Sequence, residues 1–108
     1  MNYAEIFHKL VPGLAEIFQD TSMQVILYGS VARGTQTEES DVDIAVILHA
    51  WSKADYHRMI DFVVDLELEY NVVLSVQLIE AEKFARWENI MPYYKNVKKD
   101  GIVLWPAA

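Results

Sequence analysis

Asp41 and Asp43 flank one valine at the start of an apolar run, DVDIAVIL, and no other spacing in the sequence carries as much chemistry. Alternate side chains on a strand point to the same face, so the two carboxylates share a face with their Cα atoms roughly 6 to 7 Å apart. Such a pair grips a divalent cation. Mg²⁺ takes oxygen ligands in octahedral geometry, keeps several waters and completes its shell with substrate phosphates, so a nucleotide fits the remaining positions. Ahead of Asp41, with ten residues between, a second apolar run ends at Gly29-Ser30. Gly29 permits a tight strand-to-helix turn that a Cβ would obstruct, and Ser30 begins one helical turn, Val31 to Arg33, whose free backbone N–H groups can face an anion. The Ser30 hydroxyl adds a donor and Arg33 a guanidinium fork, so phosphate oxygens can be held from one side while the metal neutralises them from the other. Taken singly, each residue has an ordinary alternative: Asp as a turn residue, Gly as a strand end, Ser as a cap, Arg as a solvated charge. Their joint spacing argues for a site.

The positioning elements follow from the apolar pattern. Val25 to Tyr28 and Ile44 to Leu48 read as buried strands, and Thr35 to Ser40 as the loop that delivers Asp41. From Asn2 to Gln19, apolar residues recur at helical spacing, with Pro12-Gly13 expected to kink the segment or divide it into two short helices. Ser52 with Asp55 resembles a capping box, opening a helix to about Tyr70 with Met59, Val63, Leu66 and Tyr70 on one stripe. Asp61, Asp65 and Glu69 fall on another face and read as solvated. Val72 to Ile79 is the expected third strand, with Ser75 and Gln77 on one face and Leu74, Val76 and Leu78 on the other. The tail from Glu82 to Asp100 reads as helical pieces broken at Pro92, and Ile102 to Trp105 as an edge strand. His8, His49 and His57 lack the partner spacing of a zinc or acid–base site.

Composition bounds the rest. A chain of 108 residues, 53% hydrophobic and without an 18-residue apolar run, fits one compact soluble domain, 1–108, and no membrane span. With no cysteine, disulfides, thiolate metal sites and cysteine nucleophiles are excluded. The N-terminus has no basic region ahead of an apolar core, so a cytoplasmic location is expected. A net charge of −7 opposes attraction to a phosphate backbone, which disfavours nucleic acid as a partner. The aromatic tail, including Trp87, Tyr93, Tyr94 and Trp105, reads as packing or as a partner interface in a homodimer or hetero-oligomer.

Gly29-Ser30, ten residues, then Asp41-x-Asp43, with Ala32-Arg33-Gly34 and Ser40 in place, resembles the signature of the DNA polymerase beta-like nucleotidyltransferases, closest to their minimal nucleotidyltransferase branch, whose members are often antitoxins of HEPN toxins. The resemblance implies an α/β (α+β) fold, a small mixed β-sheet with helices on one face. It assigns Gly29 and Ser30 to triphosphate binding and Asp41 and Asp43 to Mg²⁺ and catalysis. It implies transfer of a nucleoside monophosphate, AMP from ATP, to an acceptor hydroxyl such as a HEPN toxin's tyrosine. Active members carry a third acidic residue on the strand corresponding to Val72–Ile79. Here that strand has none, Ser75 or Gln77 stands in its place, and Glu80 reaches back only if the strand ends early. A catalytically weak module that neutralises a partner by contact is therefore the alternative. A small-molecule transferase is a third, disfavoured by the lack of a second domain to shape a pocket.

Overall fold

The computed structural model describes residues 3–106 of the chain. Its elements run α1 (Tyr3–Ile17), β1 (Met23–Tyr28), α2 (Gly29–Arg33), β2 (Val42–Leu48), α3 (Lys53–Tyr70), β3 (Leu74–Glu80), α4 (Ala81–Trp87), α5 (Pro92–Asp100) and β4 (Ile102–Trp105). The strands form one mixed sheet in the order β3-β2-β1-β4. β1 runs antiparallel to β2 and to β4, while β2 and β3 are parallel and joined by the α3 crossover.

The sheet is covered on both faces, which corrects the expectation of helices on one face only. Val25, Leu27, Val42, Ile44, Val46 and Leu48 face α1 and α3 and form the main core with Ile6, Leu10, Leu14, Met59, Val63 and Leu66. Ile26, Ala45, Ile47 and Ile79 face the other way and are covered by Val97, Phe84 and Tyr94 of the C-terminal helices. The sequence hides this second layer because α4 and α5 are short and mostly exposed. β2, central and covered on both sides, is accordingly an unbroken apolar strand except at Asp43.

α1 is one helix through Pro12, where a kink or a division into two short helices was expected, and the Asn2 end of that expected segment lies outside the described residues. Pro12 is on the exposed side, while Ile6, Leu10, Val11 and Leu14 anchor both halves to the core, so burial outweighs the lost backbone hydrogen bond. Gly13 has a packing reason: a Cβ there would overlap the Phe62 ring of α3, so its absence lets the two helices approach. At α3 the expected cap is present, with the Ser52 hydroxyl accepting from the Asp55 N–H at 3.0 Å. Asn71 closes the helix at φ 52°, a left-handed conformation that Asn tolerates.

Gly101 links α5 to β4 in a space too tight for a side chain, since a Cβ would meet the Val97 carbonyl oxygen and Ile26. Because one obstacle is backbone, Gly101→Ala is expected to force α5 from the sheet and cost about 1–3 kcal/mol in chemical denaturation. An unchanged denaturation midpoint would show that this joint has slack.

Candidate active site

The site is built where β1 ends and β2 begins. β1 gives way to α2 at Gly29, whose φ of +77° is open to glycine and strained for other residues. The Asp43 carboxylate fills the space a Cβ would need, because an added Cβ would strike Asp43 Oδ2. α2 is a single turn closed by Gly34 at φ +75°, with the Thr35 N–H donating to the Ser30 carbonyl at 2.9 Å. The following loop is tied by Ser40, whose hydroxyl accepts from the Thr37 N–H at 2.9 Å, and this fixes the approach of Asp41 to β2.

Asp43 is the polar position within β2, half-buried and in register with Tyr28 of β1 and Ser75 of β3. Asp41, exposed, lies just ahead of the strand, and its charge reaches Asp43. Burial first and Asp41 second push the Asp43 carboxyl above its ordinary value, while the Arg33 guanidinium pulls it back. A carboxylate whose ionisation is made costlier by burial and by a second carboxylate beside it belongs to an all-oxygen donor set suited to a hard divalent cation. Among the described residues no third His, Cys, Asp or Glu completes a cluster with them.

The third-strand expectation is now concrete. Ser75 stands directly beside Asp43, whereas Gln77 pairs with Ala45, one pleat repeat farther along. Glu80 belongs to the strand and pairs with Leu48 at its far end, on the face opposite Asp43, and lies 3.8 Å from Lys83. It does not reach back. Arg33 sits at the site's edge but its Nη1 donates to Asp100 Oδ2 of α5 at 2.9 Å. Tyr28 was not singled out by sequence, and Tyr93 was read only as packing or partner-interface surface. Their hydroxyls are 3.2 Å apart and their rings meet edge-on, forming a phenolic wall beside Asp43 whose ionisation is disfavoured by burial. Tyr28, immediately before Gly29 at a strand end, was the available signal; the α5 contact was not readable. A cleft of about 940 Å³ bordered by Tyr3, Thr37, Ser40, Val42 and Asn71 opens beside the delivering loop and is not lined by either aspartate.

Gly29 thus packs against Asp43, with Asp41 nearby, at one end of a mixed four-stranded sheet. Residues 8–103 match the model of the nucleotidyltransferase domain, and the chain belongs to that family. It is 31% identical over 105 residues to "Putative protein adenylyltransferase MJ0604" of Methanocaldococcus jannaschii, covering 97% of this chain and 100% of that one. It is 39% identical over 66 residues to "Putative protein adenylyltransferase MJ1305" of the same organism, covering 58% of this chain and 45% of the relative. Among solved structures, the fold resembles a toxin–antitoxin crystallised with AMP-PNP, with a TM-score of 0.59, 20% identity, and coverage of 92% of this chain and 72% of that one. A mutant of the MntA–HpeT toxin–antitoxin aligns with a TM-score of 0.59, 19% identity and the same coverage. No helix among the described residues is long and apolar enough to cross a membrane.

The raised Asp43 carboxyl sets a stability prediction. A folded-state value above the unfolded one favours the protonated form, so its stabilisation is complete below the unfolded carboxylate range and lost as pH rises through the folded value. At neutral pH without divalent cation, the ionised Asp43 is thus a burden. Asp43→Asn should raise the melting temperature in chelator by up to about 4 °C at pH 7, with the gain shrinking toward pH 4. Thermal unfolding at the two pH values checks it; a lower melting temperature for the variant at neutral pH would contradict it.

Proposed function

We propose that this protein is a Mg²⁺-dependent adenylyltransferase that moves AMP from ATP to a hydroxyl of a partner protein, a HEPN-type toxin's tyrosine, and thereby acts as its antitoxin in the cytoplasm. The observation that carries it is Asp43 seated against Gly29 with Asp41 beside it, which puts a cation grip and a phosphate turn in contact. Asp41 and Asp43 would hold the metal, and Gly29, Ser30 and Arg33 the triphosphate. When bound, the metal supplies charge neutralisation and Lewis-acid assistance at the phosphates. The acceptor oxygen attacks the α-phosphorus in line, the bond to the bridging oxygen breaks, pyrophosphate leaves with that electron pair, and the hydroxyl proton passes to a base.

The relatives support AMP as the group and a protein as the acceptor, since two are described as protein adenylyltransferases. The toxin–antitoxin structures support the kind of partner. An exposed apolar corner suits that partner: Trp87, Ile90, Met91 and Tyr93, at the α4–α5 turn on the same side of the sheet as Asp43, are 38% to 64% exposed.

A second reading is favoured by Ser75. A serine neither binds a second metal as a carboxylate does nor accepts the acceptor's proton, and general-base assistance is worth roughly 10²- to 10⁴-fold in rate. With Ser75 beside Asp43, turnover is slow unless the partner brings a base, and neutralisation by contact becomes the main activity.

Labelled ATP and Mg²⁺ with the co-purified partner should label the partner, and the Asp41→Asn/Asp43→Asn variant should lose both transfer and Mg²⁺-dependent ATP affinity in calorimetry. Full ATP affinity in that double variant would sink the site assignment. Ser75→Asp should raise transfer by at least about tenfold, whereas Gln77→Asp should not. Robust transfer by the parent that Ser75→Asp fails to improve would show that the third-strand position is not limiting.

A further inference from the structure

α5 is seated on β1 and α2 by one stripe of its surface. Tyr93, Val97 and Asp100 are four and three residues apart, which sets them on the same face of the helix. Tyr93 meets Tyr28, the last residue of β1, while Val97 is buried with Ile26 and Asp100 accepts from Arg33, the last residue of α2. Because Tyr28 immediately precedes Gly29 and Arg33 closes the helical turn that follows, the two polar contacts bracket the Gly29-Ser30 turn at both ends. The seven-residue step from Tyr93 to Asp100 rises about 10 Å, enough to border it.

The two ends of this bracket differ. At one, the Arg33 guanidinium is already engaged, 2.9 Å from a carboxylate that is itself mostly shielded. At the other, two phenol hydroxyls lie 3.2 Å apart and share one hydrogen bond. Each phenol has one proton to donate, so the pair keeps one O–H beyond the bond it makes, and among the described residues that O–H has no protein partner. The rings are held in place, since Tyr93 packs on Tyr94 at 5.4 Å and Tyr94 on Phe84 at 5.9 Å, an aromatic ladder that fixes Tyr93 edge-on to Tyr28.

Register tells which flank of the site the phenols occupy. Residues paired across neighbouring strands project to one face, so Tyr28, Asp43 and Ser75 stand in a row over β1, β2 and β3, with Tyr28 and Ser75 on opposite sides of Asp43. Both phenols feel the Asp43 charge behind the larger effect of burial, which agrees with their place beside the carboxylate. The Gly29-Ser30 turn belongs to the β1 flank. The spare O–H is therefore on the side of the turn, and the β3 flank, where Ser75 stands, is left to the acceptor.

We infer that the Tyr28–Tyr93 pair is a further phosphate-binding element, its outward O–H donating to the β- or γ-phosphate oxygens that leave as pyrophosphate. This rests on the reading of the site as one for a nucleoside triphosphate. In-line attack puts the leaving phosphates on the side away from the acceptor, and that is the β1 flank. An O–H bonded to an anionic oxygen makes a short, strong hydrogen bond, and it brings no charge that needs a counter-ion of its own. As the bond to the bridging oxygen breaks, negative charge grows on pyrophosphate and the phenol's hydrogen bond strengthens with it. Arg33 must leave Asp100 to do the same; the phenol gives up no protein partner.

Calorimetry of the intact protein with Mg²⁺·pyrophosphate, Mg²⁺·ATP and adenosine tests this. Of Tyr28→Phe and Tyr93→Phe, each of which keeps its ring, the one that removes the outward O–H should weaken both phosphate ligands by about tenfold or more. Adenosine affinity and melting temperature should stay as in the parent, which a merely structural role would not allow. In the unaltered protein with isotope-labelled tyrosine rings, the Tyr28 and Tyr93 resonances should move when Mg²⁺·pyrophosphate is added, and this needs no substitution. Parent-like pyrophosphate affinity in both variants, resonances that stay still, or a loss confined to adenosine would overturn the inference. Where Mg²⁺·pyrophosphate affinity is lost in Asp41→Asn/Asp43→Asn yet indifferent to both Phe substitutions, the transferase reading stands and this inference alone falls. A parent that binds neither phosphate ligand overturns both.

Discussion

The Asp43 carboxylate occupies the volume in which any residue but glycine at position 29 would place its Cβ. Much of the structure depends on that contact. It requires β1 and β2 to be antiparallel neighbours in a register that sets Tyr28 opposite Asp43, and it requires the chain to leave β1 with a positive φ. It also holds an acid within an otherwise apolar central strand, next to a second acid and with one nearby guanidinium as relief. On the proposed reading, a carboxylate held there against desolvation is where a cation would relieve the most unfavourable charge.

The legible part of this fold was the part written in local chemistry. The Gly29-Ser30 turn, the Ser52 cap and the Pro92 break each specify a local backbone state and stand where the sequence placed them, whereas of the two aspartates expected on one strand face only Asp43 lies within β2 and Asp41 is just ahead of it. The alternation of Ser75 and Gln77 with Leu74, Val76 and Leu78 also gave the correct faces, but only the parallel register showed that Ser75, and not Gln77, is Asp43's neighbour. Continuity of α1 through Pro12 was illegible because it depends on tertiary burial of Ile6 through Leu14, and this overrides a local breaker. The second helical layer was illegible for a related reason: α4 and α5 bury few residues of their own, and Val97 becomes core only through the sheet face it meets.

The two sheet faces divide the labour. The face under α1 and α3 is apolar apart from Glu80 at the end of β3 and supplies most of the burial, so the fold can tolerate polar residues on the opposite face. The face under α4 and α5 is only partly closed, with Ile26, Ala45, Ile47 and Ile79 covered and Tyr28, Asp43 and Ser75 toward its open end. On the proposed reading, partial closure leaves room for another protein's side chain, which a small enclosed pocket would exclude.

The ion pair between Arg33 and Asp100 has a consequence for the life of a bound product. Asp100 is mostly shielded, with its side chain 17% exposed, so a guanidinium that turns toward phosphate leaves a poorly solvated carboxylate behind. On the proposed reading, every phosphate-bearing occupant must compete with Asp100, and pyrophosphate faces the same competition as ATP. The internal carboxylate then acts as a returning ligand that shortens residence on the turn. On that reading, tight product retention, a common reason for a transferase to stall after one cycle, is opposed by the α5 carboxylate that holds Arg33 in the free protein.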